Sequence, residues 1–278
     1  MNNKKKISII NPFNAPVYHE KIVSSTMDVS RRLAASGETH GTVIAADFQD
    51  AGRGRVPGRT WEMDSDTSLP FTILLRYPRI EEIPQLLTLR AGLAVSLAIE
   101  DFAPSLKNIV LIKWPNDIII NARKAAGILC EADGGNVHLG IGVNITQKEF
   151  PSHLAEKAVS LAIAAGIEIT DNERFSLLEK ILMRLYDELE PVAPIIRGDS
   201  SLDKTDDNKT LISRIEQRLF KKDEQVVFIS GAADNGKEIK GRLAGIGEGG
   251  ELLIEPAGEA GVCSFITGEL RLFQNPAG

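Results

Sequence analysis

The feature that most restricts the fold is a series of short apolar runs at residues 109–114, 118–120, 125–131 and 137–145. The links between them are brief: Pro115-Asn116-Asp117, Asn121-Ala122-Arg123 and Gly134-Gly135. Strands joined this closely must be antiparallel, because a parallel crossover needs about a dozen residues or more. Any fold for this chain therefore contains a meander in its middle.

The flanks add helices and further strands. Ser25-Thr26-Met27-Asp28 is a helix-start signal, and the helix it opens should run through Val29 and Leu33 and end near Gly37. Residues 41–48 and 68–76 read as strands, with a glycine- and arginine-rich loop at 49–59 between them. Residues 81–102 read as a helix with Leu86, Leu89, Leu93 and Leu97 on one face. Thr170-Asp171-Asn172-Glu173 starts another, whose stripe of Phe175, Leu178, Ile181, Leu182, Leu185 and Leu189 suits core packing better than a partner surface. The polar stretch 191–210, with Gly198-Asp199-Ser200-Ser201 and Asp206-Asp207, reads as a linker or exposed loop, and a short helical stretch follows. Strands at 226–229, 238–246, 251–255 and 264–272 suggest a small β-barrel. The expected class is α+β: a mixed, largely antiparallel sheet with packed helices over residues 1–195, a linker and short helix over 196–222, and a small C-terminal barrel over 223–278.

A net charge of −6 argues against broad nucleic-acid binding, which needs a basic face, but leaves room for a local basic pocket. Cys130 and Cys263 sit far apart in apolar runs and read as buried thiols of a reducing compartment. Lys4-Lys5-Lys6 precedes an apolar run too short for a secretory signal, and no stretch reads as a bilayer span. A cytoplasmic protein without a membrane partner is the expectation. No internal repeat stands out, and no helix-turn-helix lies ahead of residue 20.

Four segments carry candidate chemistry. In Gly52-Arg53-Gly54-Arg55-Val56-Pro57-Gly58-Arg59-Thr60-Trp61, glycines let backbone approach a ligand and arginines offer planar donors to phosphate or carboxylate. A solvated basic loop or an RNA-binding Gly-Arg stretch fits that segment nearly as well. It is no Walker loop, since Gly-Lys-Ser/Thr is missing. In Lys113-Trp114-Pro115-Asn116-Asp117, Asp117 could hold Mg²⁺ on a polyphosphate with Asn116 helping, and Lys113 could neutralise phosphate; a plain turn is the commoner use of such residues. In Lys124-Ala125-Ala126-Gly127-Ile128-Leu129, Lys124 could pair with a ligand carboxylate or a reacting phosphate, and Gly127 leaves room for a flat ligand; a hairpin-tip lysine in water is the simpler reading. In Gly140-Ile141-Gly142-Val143-Asn144, paired glycines suggest close approach and Asn144 offers a donor and an acceptor, while a bulged core strand is equally compatible.

Taken in order with Ser25-Thr26 and Gln49, these segments resemble the catalytic domain of biotin protein ligases over roughly residues 20–190. The tail, with Gly241-Arg242-Leu243-Ala244-Gly245-Ile246 and Gly268-Glu269-Leu270, more loosely resembles that family's small C-terminal SH3-like barrel. The resemblance implies a fold related to class II aminoacyl-tRNA synthetases and lipoate ligases. It implies biotin and ATP as substrates, Mg²⁺, a biotinyl-AMP intermediate, and transfer of biotin to a lysine of a biotin carboxyl carrier protein or carboxylase carrier domain. By matching motif, Ser25, Thr26, Gln49, Gly52, Arg53, Gly54, Lys124 and Gly127 should line the biotin site. Arg55, Trp61, Lys113, Asn116, Asp117 and Asn144 should face ATP, with Asp117 near the metal. Arg53, Arg55, Lys113, Asp117 and Lys124 form the implied catalytic set, and Arg55 lies in the loop that restrains the adenylate.

Two departures stand out. The spacing from Arg55 to Trp61 is one residue longer than the usual family pattern, and Met27 stands where relatives often have Asn. The lack of a DNA-binding module ahead of residue 20 implies a ligase that is not a repressor and has no DNA partner. Whether it is a monomer or a homodimer stays open. Rival readings are a lipoate or octanoate ligase of the same fold and a non-catalytic nucleotide- or RNA-binding protein.

Overall fold

The computed structural model describes residues 5–56, 58–62, 64–190, 204–231 and 236–271. Its larger sheet has eight strands: β1 (Lys5–Lys6), β2 (Val17–Val23), β3 (Thr42–Gln49), β4 (Ser68–Arg76), β5 (Val110–Lys113), β6 (Asp117–Ile120), β7 (Arg123–Asp133) and β8 (Asn136–Asn144). Their order is β1-β2-β3-β4-β8-β7-β6-β5. Strands β2 and β3 are parallel, joined by helix α1 (Thr26–Ala35), and the other neighbours are antiparallel. The expected meander is β5 to β8. Its β6–β7 turn is tight because Asn121 and Ala122 both take positive φ, 50° and 59°, the twist a two-residue hairpin needs.

Ser25 caps α1 by accepting a hydrogen bond from the Met27 N–H, so the sequence signal fixes the helix start. Helices α2 (Leu87–Phe102) and α4 (Asp171–Leu189) pack together over the sheet, and α3 (Leu161–Ala165) is a single short turn. Thr170 and Glu173 form the reciprocal cap expected at the start of α4, and Leu178, Ile181, Leu182 and Leu185 are fully buried along its stripe.

The helix expected over 81–102 begins instead at Leu87, after a separate single turn at Ile80–Glu82. Pro84 is the cause: it has no N–H to donate and pushes Ile83 to extended backbone, ψ 123°. Against expectation, residues 80–102 contain a window apolar enough for a membrane span, but most of that window is buried within the fold.

Of the expected linker, residues 191–203 lie outside the described set, and the rest is not a loop: α5 (Lys204–Glu216) starts at Lys204. Leu211 and Ile215, one turn apart and both buried, draw this polar segment into a helix against α2.

The second sheet is antiparallel, with β9 (Gln225–Ser230), β10 (Lys237–Ile246), β11 (Leu252–Pro256), β12 (Cys263–Phe265) and β13 (Gly268–Leu270) in the order β12-β11-β10-β9-β13. The run expected as one strand over 264–272 is thus two strands on opposite edges, with Leu272 outside the described residues. Gly268 permits the break: its φ is +147°, and a Cβ there would lie 2.2 Å from the Phe228 ring. Only Ile266 and Thr267 connect the two edges. Three Cα steps reach about 11 Å, whereas a flat five-stranded sheet would separate its edges by about 19 Å, so this sheet curls. Accordingly the rings of Phe228 on β9 and Phe265 on β12 meet at 4.8 Å.

Cys130 and Cys263 are free thiols on different sheets, and both are half-buried rather than buried as expected.

His138 on β8 is fully buried, with Nδ1 2.8 Å from Ser30 Oγ on α1 and Nε2 3.3 Å from Asp133 Oδ2. Burial pushes its pKa below 6.5, against the opposing pull of Asp133. The unfolded chain therefore takes up a proton near pH 6.5 that the folded chain refuses, and stability falls as pH drops below that value. The melting temperature of a His138→Gln variant should decline less between pH 6.5 and 5 than that of the parent; equal slopes would show that His138 is not the sensitive group.

Candidate active site

The central strands of the large sheet carry glycines where neighbours carry branched side chains, and these glycines floor a cleft. A Cβ on Gly127 would stand 3.1 Å from both the Lys124 ammonium and the Trp61 indole, and one on Gly142 would stand 2.9 Å from that indole. Trp61, brought back by a bridge between Arg53 and Thr60, thus lies over β7 and β8. Its Nε1 is buried and, among the described residues, has no hydrogen-bond partner.

The cleft has two lobes. One is lined by Ser25, Thr26, Met27 and Gln49 at one end, by Gly127, Ile128, Leu129, Gly140, Ile141 and Gly142 beneath, and by Arg53, Gly54, Arg55 and Trp61 above. The other takes in Lys113, Trp114, Pro115, Asp117, Arg59 and Glu269. Gly54, Arg55, Trp61, Asn116 and Lys124 belong to both, so the lobes are continuous.

The first lobe's polar end is organised by α1. Gln49 Oε1 accepts from the Thr26 backbone N–H at 2.7 Å and from its hydroxyl at 3.0 Å, and Thr72 Oγ1 lies 2.9 Å from Thr26 Oγ1. Arg53 lines this lobe but donates to Asp28 in the first turn of α1, Nη2 to Oδ1 at 2.7 Å. Burial pushes the Asp28 carboxyl up, but Arg53 and Arg31 outweigh it and hold it below the usual range.

The second lobe is a charge cluster. Lys124 Nζ lies 2.6 Å from Asp117 Oδ1, and Lys113 Nζ lies 3.9 Å from Oδ2. Burial raises the Asp117 carboxyl, and the two lysines overcome it and keep it ionised below its ordinary value. Burial pushes buried Lys113 down, opposed by Asp117 and Glu269. Lys124 also sits 5.6 Å from the centre of the Trp61 ring.

The small sheet completes this lobe. Arg55 Nη2 donates to the Gly268 carbonyl at 2.8 Å, and Arg59 forms a two-pronged pair with Glu269, at 3.0 and 2.8 Å. Trp114 Nε1 donates to the Gly250 carbonyl at 2.9 Å.

Most residues singled out in the sequence converge here. Two do not line either lobe. Gly52 lies beneath, where a Cβ would meet Gln49 and Trp61 at 3.1–3.2 Å. Asn144, expected to face nucleotide, is buried behind the floor, where its amide donates to the carbonyls of Lys124 and Val159, both at 3.3 Å. Asn116 is on the wall, and its amide is bound to the Ile128 carbonyl at 2.8 Å. Sequence reasoning missed Thr72, a polar side chain in the middle of an apolar strand, and Glu269, which sits in a quoted motif without an assigned role.

The cleft thus runs from an end lined by hydroxyl and amide groups to one lined by lysine and arginine side chains that suit an anion. The chain belongs to the biotin/lipoate A/B protein ligase family, whose model matches residues 20–168. It is 38% identical over 176 residues to the bifunctional ligase/repressor BirA of Bacillus subtilis (strain 168), a match covering 60% of this chain and 51% of that protein. It is 33% identical over 171 residues to the biotin–[acetyl-CoA-carboxylase] ligase of Mycobacterium tuberculosis, covering 60% and 59%. The chain spans about half the length of the curated relatives it matches. Among solved structures it resembles a biotin protein ligase from Aquifex aeolicus in complex with biotin and ATP, with TM-score 0.73, 28% identity, and coverage of 92% of this chain and 97% of that one.

Proposed function

We propose that this chain is an ATP-dependent biotin protein ligase. The observation that carries the reading is the meeting of the two lobes at Lys124: a glycine-floored, hydroxyl- and amide-ended lobe on one side, a cationic lobe on the other. Biotin's ureido ring suits the Ser25–Thr26–Gln49 end, and its carboxylate would then point toward Lys124. ATP suits the lobe of Lys113, Arg59 and Asp117. The relatives named above are biotin ligases, which favours biotin over lipoate.

The carboxylate attacks the α-phosphorus of ATP, an acyl–phosphate bond forms, and pyrophosphate leaves. Both reactants are anions, so the site must cancel their repulsion and hold them in line. Lys124 at the junction and Lys113 in the cationic lobe, beside Asp117, supply positive charge. Asp117 keeps both ammonium groups in place and is itself kept ionised by them. The product is a mixed anhydride that water would destroy, and the arginine loop with Trp61 covers it. The amine of a carrier lysine then attacks the acyl carbon and AMP leaves, with no nucleophile of the ligase required.

Mg²⁺ needs only one or two carboxylates besides phosphate oxygens, and Asp117 and Glu269 line the cationic lobe. Among the described residues no three candidate ligands cluster, so the ion would enter with the polyphosphate. Bound there, it adds positive charge beside the phosphates. Residues 1–195 would be the catalytic unit, and the curled sheet within 223–278 an SH3-like barrel that docks β13 on it.

Incubation with biotin, ATP and Mg²⁺ should yield biotinyl-AMP by mass spectrometry, and an excess of lipoate should not suppress it. Absence of the adenylate, or lipoyl-AMP formed in preference, would overturn the assignment.

A further inference from the structure

Met27 is nearly buried in the first turn of α1, yet it lines the biotin lobe. It faces Gly140 across the floor: a Cβ on Gly140 would stand 2.8 Å from Met27 Sδ and 3.4 Å from its Cγ. The thioether therefore fills the space a side chain at position 140 would otherwise occupy. The polar end of the same lobe is fixed by hydrogen bonds among Thr26, Gln49 and Thr72. Beside these groups Met27 is different in kind, since a methionine has three rotatable bonds, no polar hydrogen and a polarisable sulfur that adapts to what it touches.

We propose that Met27 and Gly140 form a steric gauge that sets which ring-substituted carboxylic acids this ligase activates. The proposal rests on the assignment of this lobe to biotin. The hydroxyl and amide end selects for a ureido head, and the Met27–Gly140 pair limits the bulk carried on the fused rings. Shortening Met27 opens room beside Gly140. Adding a methyl at Gly140 displaces the sulfur, the free end of a flexible side chain, and narrows the lobe. The two changes made together exchange one volume for the other.

The test is adenylate formation from biotin and from an N-alkylated biotin by the parent, Met27→Ala, Gly140→Ala and the double variant. A change of a single methylene in an apolar pocket is worth roughly 10- to 200-fold in selectivity. Met27→Ala should therefore shift the ratio of kcat/KM toward the bulkier acid by about tenfold or more. Gly140→Ala should weaken use of both acids, and the double variant should recover biotin use relative to Gly140→Ala alone. Such recovery cannot come from two unrelated packing defects, which would add. Met27→Leu, of similar volume, should keep the parent's ratio and guards against an Ala variant that fails to fold. An unchanged ratio in Met27→Ala with the parent active, or additive losses in the double variant, would refute the gauge while leaving the ligase assignment intact. A parent that forms no adenylate from either acid refutes both.

Discussion

Lys124→Ala should slow biotinyl-AMP formation by about 10²–10³-fold, the usual effect of removing one preorganised charge-stabilising group. Lys124 is the side chain on which the two lobes depend. It borders both, holds Asp117 at 2.6 Å, and packs near the Trp61 ring. Without it, the carboxylate and the α-phosphate would meet with less compensating charge, and Asp117 would lose its nearer lysine and keep Lys113 at 3.9 Å, with Arg55 also acting on it. Single-turnover adenylation is the measurement, since the second half-reaction does not enter it. Lys124→Arg keeps the charge but spreads it over a planar fork, and should recover only part of the rate. A Lys124→Ala enzyme within twofold of the parent would remove this lysine from the mechanism.

Arg55→Ala should change where biotin ends up more than how fast it is activated. Arg55 borders both lobes and donates to the Gly268 carbonyl, so it fastens the loop across the cleft to β13. Without that fastening the adenylate should dissociate before a carrier lysine arrives. Biotin should then appear on bystander proteins, at a level at least tenfold above the parent's, as a gain of about 1.4 kcal/mol in the free energy of escape would produce. Streptavidin blots of a reaction containing the carrier and an unrelated lysine-rich protein would read this directly. Labelling that stays confined to the carrier would mean the loop is held by other contacts.

Much of this site was legible before any coordinates. The meander followed from link lengths, and the arginine loop was recognisable as a local anion site, whereas Lys113, Asp117 and Lys124 taken alone read as an ordinary turn and hairpin tip and gained their chemistry only from the ordered family resemblance. What escaped was non-local. Nothing near Arg53 in sequence shows that it folds back on Asp28, 25 residues earlier. Asn144 has the right chemistry for a nucleotide contact, but a buried amide must first satisfy its own hydrogen bonds, and it does so on backbone carbonyls. The split of 264–272 into two strands depends on one glycine beside Phe228, a contact that no local periodicity records. The late start of α2 was readable from Pro84, and the apolar stripe overrode it.

The fastening of Arg55 and Arg59 to β13 joins residues more than 200 positions apart, 213 and 210 respectively. A ribosome finishes the arginine loop long before it makes the strand that anchors it. On the proposed function, the nascent chain would carry an untethered cover and would become a tight container for a reactive acyl phosphate only after Glu269 has been made. Shortening the gene ahead of that codon should therefore leave something worse than an inert fragment: an activator without restraint.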